Sequence, residues 1–194
     1  MNSAALDATS PLAFELKYRS QSDPWNFRHS AYEQNRYQKI LESLRRPCYA
    51  HAFEPGCSVG ELTASLAERC GRVTATDVSQ TALGRARVRC HRYCNIEFQC
   101  SDISQALPAS PVDLIVLSEI AYYFPASTLA ELAQRLQGML SDGGELLACH
   151  WLGHSEDHVL HGDEAHEILL RTFSLRPAAD YRFDQFRIDS WINA

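Results

Sequence analysis

Residues 49–60 read Tyr-Ala-His-Ala-Phe-Glu-Pro-Gly-Cys-Ser-Val-Gly, and this stretch decides the fold. Its first half suits a short β-strand, and its second half is a turn rich in small residues. Apolar residues then recur at helical spacing, at Leu62, Leu66 and Cys70. A strand that runs through a small-residue turn into a helix is typical of an α/β sheet.

The same alternation continues along the chain. Further strand-like runs lie at residues 72–77, 96–100, 112–118 and 145–151. Helical patterns precede the first, second and fourth of these runs. Residues 112–118 are the most apolar run and suit a central parallel strand that is covered on both faces. Strands that alternate with helices predict an α/β fold with a parallel sheet and helices on both faces.

The length of 194 residues predicts one domain. Ser30 and Glu33 form a capping-box pattern, which predicts a helix that starts at Ala31 and stops before Pro47. The first dozen residues show no periodicity, and we expect them to fray. We divide the domain into an N-terminal segment with a cap helix, residues 1–46, and a core, residues 47–194.

Composition excludes several classes of protein. The net charge of −6 argues against broad binding to nucleic acid. No apolar run reaches the ~20 residues that span a bilayer, and the N-terminus has no pattern of a secretion signal. The seven cysteines include no CxxC pair, which favours reduced thiols. We therefore expect a cytoplasmic protein that binds neither nucleic acid nor membranes and contains no metal.

Three carboxylates stand where successive predicted strands end: Glu54, Asp77 and Asp102. Ligands of parallel α/β sheets bind at the carboxyl ends of the strands, where Asp77 is placed to accept hydrogen bonds from two ribose hydroxyls. The pyrophosphate of NAD disfavours nearby carboxylates, and the turn departs from the GxGxxG pattern. S-adenosylmethionine (SAM) carries a sulfonium and an ammonium, which acidic groups favour. The residues therefore favour SAM, with NAD as the alternative.

From Phe53 to about Trp151 the chain resembles the class I SAM-dependent methyltransferases. In that family an acidic residue precedes a G-x-G-x-G turn, and acidic residues follow the second and third strands; here Ser58 replaces the middle glycine. More narrowly, the chain looks like the nodulation-protein-S-like methyltransferases. That likeness rests on Asp23-Pro24-Trp25, Tyr32-Glu33 with Arg36, Glu54-Pro55-Gly56-Cys57, and Leu117-Ser118-Glu119 with Tyr122-Tyr123.

The resemblance implies a Rossmann-like domain with a mostly parallel seven-stranded sheet and an N-terminal helical cap, as a monomer or homodimer. It implies that Glu54 and the backbone of the Gly56–Gly60 turn surround the methionine end of SAM. Asp77 would bind the ribose, and Asp102 with Ile103 would read the adenine. The expected cofactor contacts are Trp25, Tyr32, Arg36, Glu54, Gly56, Ser58, Gly60, Asp77, Val78, Asp102, Ile103 and Ser118.

Arg36 and the N-terminal aromatic residues also suggest a role by their chemistry. A guanidinium at this position could grip the SAM carboxylate, and aromatic rings could cover the sulfonium. The alternatives are that Trp25 packs in the core and that Arg36 is a surface charge.

The resemblance also implies an amine substrate, such as an amino sugar or a deacetylated chitooligosaccharide. Glu119 ends the fourth strand and could hold an ammonium or take its proton, whereas Tyr122 would line the same mouth. His150 ends the fifth strand and is a candidate base. Each has a structural alternative: a helix cap, packing and a core histidine, respectively. An O-methyltransferase with His150 as base, or a SAM-binding module without turnover, are the rival functions.

A histidine-rich segment, His154–His166, follows the fifth strand. His154 and His158 are four residues apart, but no HExxH context accompanies them. We predict a polar substrate loop or lid here, and no metal site. Asp163 is expected to cap a helix that follows this loop and runs to Phe173.

Overall fold

The computed structural model describes residues 7–105, 107–109 and 111–194. Helices and strands alternate along most of the chain. The helices are α1 Pro11–Ser20, α2 Ala31–Ser43, α3 Glu61–Ala67, α4 Gln80–Arg89, α5 Ala126–Gln137 and α6 Gly162–Thr172. The strands are β1 Tyr49–Pro55, β2 Cys70–Asp77, β3 Ile96–Cys100, β4 Val112–Ser118, β5 Leu140–Trp151, β6 Arg176–Arg182 and β7 Phe186–Ile192.

All seven strands form one sheet, in the order β3-β2-β1-β4-β5-β7-β6. Strands β1 to β5 are parallel, and β7 runs antiparallel to both β5 and β6. The predicted mostly parallel α/β sheet is therefore confirmed. The strand order reverses direction between β1 and β4, so a crevice opens at the carboxyl ends of these two strands.

Apolar side chains at alternating positions along the strands point to opposite faces of the sheet and pack there against helices. In β4, Leu114 and Val116 pack with α2, α3 and α4, whereas Ile115 and Leu117 pack with α5 and α6. The central strands are consequently buried on both sides, as their continuous apolar sequence predicts. Because both faces are filled by helices, the ends of the strands are the surface left for a ligand.

Helix α1 differs from the expectation that the first dozen residues fray. Ser10 caps it through Ala13 N, and Pro11 occupies its first turn. Glu15 holds it to the start of α4, accepting hydrogen bonds from Ser79 Oγ at 2.7 Å and Thr81 Oγ1 at 2.6 Å. Helix α2 starts at Ala31 behind its Ser30 cap, as predicted. For residues 1–6 the expectation lies outside the described residues.

The histidine-rich segment is a loop only in its first part. His161 caps α6 in a capping box with Glu164, and α6 starts at Gly162. The helix predicted from Asp163 to Phe173 is therefore present, but its capping residue is His161 and not Asp163. Within the described ranges, no helix is long and apolar enough to cross a membrane.

Candidate active site

A cavity of about 550 Å³ opens at the carboxyl ends of the parallel strands. Helices α1 and α2 line one side, and the ends of β1, β2 and β4 line the floor. Its size falls within the range of small-molecule sites. Most of the residues predicted from the sequence line it: Trp25, Tyr32, Arg36, Glu54, Gly56, Ser58, Asp77, Val78, Asp102, Ile103, Ser118, Glu119 and Tyr122.

The turn after β1 brings its backbone to the cavity. Gly56 has φ +71°, and a Cβ built on it would lie 2.2 Å from Ile120 Cγ2, so glycine is required there. Ser58 has φ +52°, a left-handed conformation that is uncommon outside glycine. Two hydrogen bonds hold it: Tyr18 OH donates to Ser58 Oγ at 2.6 Å, and Ser58 N donates to Asp77 Oδ2 at 2.9 Å.

Gly60 does not line the cavity, unlike the other small residues of this turn. It precedes α3 with φ +84°, and a Cβ there would lie 3.0 Å from Ala86 Cβ and 3.2 Å from Cys90 Sγ. Its small size therefore serves the packing of the turn against α4. The predicted cofactor contact at Gly60 is replaced by this structural role.

Glu54 ends β1 as a buried carboxyl group on the cavity floor. Its Oε2 atom has no hydrogen-bond partner. Burial raises the pKa of this carboxyl to about 8. A buried acceptor without a partner carries a desolvation cost, which a cationic donor in the cavity would remove.

Asp77 and Asp102 end β2 and follow β3. Asp77 is buried and accepts hydrogen bonds from Ser58 N and from Ser79 N, each at 2.9 Å. Burial raises its pKa to about 6, against these hydrogen bonds. Asp102 Oδ1 accepts from Ser104 N at 2.9 Å. A carboxylate that accepts two hydrogen bonds keeps further lone pairs for the hydroxyls of a ligand.

Arg36 lies on α2 at the opposite end of the cavity and is 1% exposed. Its guanidinium is ion-paired with Glu33 one turn earlier and with Glu119 Oε1 at 2.8 Å. It also donates to Ser118 Oγ at 3.2 Å. Two carboxylates thus face one guanidinium. This burial excludes the alternative that Arg36 is a surface charge.

Contacts with Arg36, Trp151 and Tyr122 hold Glu119 in place. It has φ +61°, a strained conformation that over-determined surroundings maintain. Oε1 accepts from Trp151 N at 2.7 Å in addition to the Arg36 ion pair, and Oε2 accepts from Tyr122 OH at 2.7 Å. This arrangement suits a fixed carboxylate that accepts a hydrogen bond from a ligand, and not a side chain that changes position during the reaction.

His150 is fully buried and does not line the cavity. Its Nε2 accepts from Ala121 N at 3.0 Å, so its Nδ1–H donates to His166 Nε2 at 3.1 Å. His166 Nδ1 donates in turn to Asp189 Oδ2 at 2.8 Å. Both nitrogens of His150 are therefore engaged, and burial holds its pKa well below the usual range. This geometry gives it the structural role that was the alternative to a base.

Two residues that line the cavity have buried polar atoms without a hydrogen-bond partner. One is Tyr32 OH, which was expected to contact the cofactor and whose pKa is raised by burial. The other is Nδ1 of His158, which the sequence suggested only as half of a metal pair with His154. Glu33 was not among the predicted site residues, although its spacing of three from Arg36 was a usable signal. No cluster of three metal-ligating side chains occurs in the part of the chain that the structure describes.

The comparisons agree with this site. The family model described as nodulation protein S matches residues 13–153. The chain belongs to the nodulation protein S family. A nodulation protein S from Bradyrhizobium diazoefficiens is 39% identical over 102 residues, which are 52% of this chain and 49% of that protein. One from Rhizobium tropici is 36% identical over 129 residues, or 64% and 53%. The chain spans about half the length of these curated relatives.

A solved member of the nodulation protein S family has the same fold. It is the N-methyltransferase NodS from Bradyrhizobium japonicum WM9 in complex with S-adenosylhomocysteine (SAH). The TM-score is 0.82 at 26% identity, over 96% of this chain and 98% of that one. The predicted class I methyltransferase fold is thus confirmed.

Proposed function

We propose that the chain is a SAM-dependent N-methyltransferase that acts on a small polar amine such as an amino sugar or a deacetylated chitooligosaccharide. The observation that carries the proposal is the acidic cluster at the Arg36 end of the cavity. There Glu33 and Glu119 both contact the single guanidinium of Arg36, so these three side chains carry an excess of negative charge. A protonated amine relieves that excess, whereas a neutral hydroxyl does not.

The floor of the cavity fits SAM. The unpartnered Oε2 of Glu54 is a ready acceptor for an ammonium. Asp77 keeps lone pairs for two ribose hydroxyls, and Asp102 with Ile103 lies beyond it for the adenine. Bound SAM supplies an activated methyl group on a sulfonium. The chain's own part is to orient the nucleophile and to exclude water, which supplies much of the acceleration in a displacement of this kind.

We place the acceptor amine at the end of the cavity formed by Arg36 and Glu119, called the acceptor end below. Aromatic rings close this end of the cavity. Tyr122 and Tyr123 pack edge to face with centroids 5.0 Å apart, and Phe14 of α1 packs on Tyr123 at the same distance. Lys17 of α1 pairs with Asp157 at 2.7 Å, which connects α1 to the loop between β5 and α6. The aromatic rings form an apolar wall, and the Lys17–Asp157 ion pair adds polar groups nearby, which suits a sugar or another polar amine.

The family relationship supports N-directed transfer, since the solved relative NodS is an N-methyltransferase. The O-methyltransferase alternative relied on His150 as base, and both nitrogens of that ring are engaged.

Binding and turnover together test the proposal. We expect calorimetric titration to detect SAM and SAH binding and no NAD binding, because the turn after β1 departs from the GxGxxG pattern that binds a pyrophosphate. With glucosamine or deacetylated chitooligosaccharides as acceptors, mass spectrometry should detect one added methyl group and an equal amount of SAH. SAM binding without SAH formation for any amine would favour a non-catalytic module, and NAD binding alone would overturn the cofactor assignment.

Glu119→Gln should lower kcat/KM for the amine by about 10- to 100-fold, the cost of losing one charged hydrogen bond. SAH affinity should stay near that of the parent chain, because Glu119 lies at the acceptor end. The matched control is Glu42→Gln on the exposed side of α2, where Glu42 pairs only with Lys39 and Gln38. Steady-state kinetics with equal effects of both substitutions would remove Glu119 from acceptor binding.

A further inference from the structure

We propose that His158 takes the proton from the acceptor amine, a role that rests on the proposed function. His158 lies in the loop between β5 and α6 and lines the cavity together with Glu119 and Tyr122. Its Nδ1 is buried and has no hydrogen-bond partner. The tautomer with the proton on Nε2 presents a lone pair at this position. A donor placed there would satisfy an atom whose burial is otherwise costly.

Tyr122 fixes the ring of His158. The two rings stack with centroids 3.8 Å apart and an angle of 19° between their planes. The carbonyl of Tyr122 also accepts hydrogen bonds from Val159 N at 2.9 Å and Leu160 N at 3.0 Å. Because Tyr122 OH donates to Glu119, the ring, the phenol and the carboxylate form one connected group. A base must be positioned in this way to be efficient.

The other titratable groups near the acceptor end are engaged. Glu119 accepts from Arg36, Trp151 N and Tyr122 OH. Glu33 is ion-paired with Arg36. His150 uses both nitrogens and lies outside the cavity. Among the described histidines and carboxylates around this end, His158 therefore offers an open lone pair on a ring that is neutral at the start of the reaction.

The surrounding charges suit a ring that gains a proton transiently. Burial lowers the pKa of His158, so the ring is neutral near pH 7. Asp157 and Glu119 raise that pKa and stabilise the imidazolium once it forms, whereas His154 and His161 lower it. The charged and titratable groups around the ring are Glu119, Tyr122, Tyr123, His150, His154, Asp157 and His161. Lys17 is paired with Asp157.

The step balances in protons and electrons. One N–H bond of the acceptor ammonium breaks, and the proton forms an N–H bond at His158 Nδ1, which leaves a neutral amine. The amine nitrogen then bonds to the methyl carbon as the carbon–sulfur bond breaks, and that electron pair stays on sulfur. The product leaves as a methylammonium, and the imidazolium returns its proton to water.

His158→Ala provides the test, with glucosamine and deacetylated chitooligosaccharides as acceptors and SAM as donor. General-base catalysis contributes about 10²–10⁴-fold, so we expect kcat to fall by at least about 100-fold. Calorimetry should show unchanged SAH affinity, since the ring of His158 contacts Tyr122 and Tyr123 at the acceptor end of the cavity. Added imidazole should restore part of kcat in the variant. The acid limb of the kcat–pH profile should move to higher pH, toward the pKa of the free acceptor amine.

The matched control is His91→Ala, an exposed histidine after α4 that is not part of the cavity lining, which should retain parental kcat and show no rescue by imidazole. An active parent chain together with a His158→Ala variant of unchanged kcat and pH profile would overturn the role of His158 alone. A fall in kcat with neither imidazole rescue nor a shifted acid limb would also overturn this role, because it would indicate a structural effect of the substitution. A parent chain that binds SAH but methylates neither acceptor would overturn the proposed function, and the role of His158 with it.

Discussion

Replacing Arg36 with alanine should lower the free energy of unfolding by about 3–5 kcal/mol, the usual cost of removing one partner of a buried ion pair. The guanidinium is 1% exposed and holds Glu33, Glu119 and Ser118 together. Without it, two carboxylates remain close to each other in a poorly hydrated site. Urea unfolding followed by circular dichroism measures the effect.

The loss should depend on pH in a defined direction. Burial already raises the pKa of Glu33 with Arg36 in place, and removal of the cation would raise it further. A carboxyl whose folded-state pKa is raised stabilises the fold below its unfolded value of 4.5 and loses that contribution as the pH rises through the folded value. Arg36→Ala should therefore be least destabilising in acid and most destabilising at neutral and alkaline pH.

Two comparisons make this result specific. Lys39→Ala removes a half-exposed cation from the same helix, and its ion pair with Glu42 should be worth about 0–1 kcal/mol. Arg36→Ala combined with Glu33→Gln should recover part of the lost stability, because one uncompensated charge is gone. An Arg36→Ala chain with a loss below about 1 kcal/mol at neutral pH would contradict the buried-pair argument.

The strand ends illustrate what the sequence predicts well. Glu54 and Asp77 each follow a short apolar run, and the carboxyl ends of parallel strands meet at one edge of a sheet. Local periodicity and this one rule suffice to bring both carboxyls to one cavity. The turn at Gly56 follows from the same reasoning, because close approach of a ligand requires small residues.

His150 illustrates a prediction that periodicity alone could not make. It shares strand parity with Leu146 and Ala148, which pack against α5 and α6. Parity separates the two faces of β5, but it does not say which face turns toward a ligand. The partner His166 lies 16 positions away on α6, and only the packing of that helix brings the two rings together.

Helix α1 was missed for a related reason. Its anchor is Glu15, which contacts Ser79 and Thr81 more than sixty positions later. Its own amphipathic pattern is weak, with Leu12 and Leu16 exposed. The Ser10-Pro11 pair was the available signal, since a capping serine followed by proline is typical of a helix start.

Glu54→Gln should weaken SAH and SAM binding by about 2–4 kcal/mol, roughly 30- to 1,000-fold, because a buried charge-assisted hydrogen bond to the ligand ammonium would be lost. Glutamine keeps the size of the side chain, so the fold should be retained. Calorimetric titration of both chains measures the difference. Equal affinities would exclude Glu54 from the ammonium site.

Glu54 should also make ligand binding release a proton. In the ligand-free chain, burial raises the pKa of this carboxyl to about 8, so it is mostly protonated at pH 7. An ammonium beside it lowers the pKa, and the proton then leaves. The affinity should therefore rise with pH up to about 8 and level off above it. Titration at pH 7 in two buffers of different ionisation enthalpy counts the released protons, close to one for the parent chain.

The same linkage has the opposite sign for folding of the ligand-free chain. The raised pKa stabilises the folded state below the unfolded value of 4.5, and this contribution is lost as the pH rises through about 8. Glu54→Gln should abolish both the proton release and this slope. Asp77→Asn is the matched comparison: with a pKa of about 6, Asp77 is mostly ionised at pH 7, so its variant should bind more weakly yet still release the proton. If proton release persists in Glu54→Gln but disappears in Asp77→Asn, Asp77 and not Glu54 is the group that loses the proton on ligand binding.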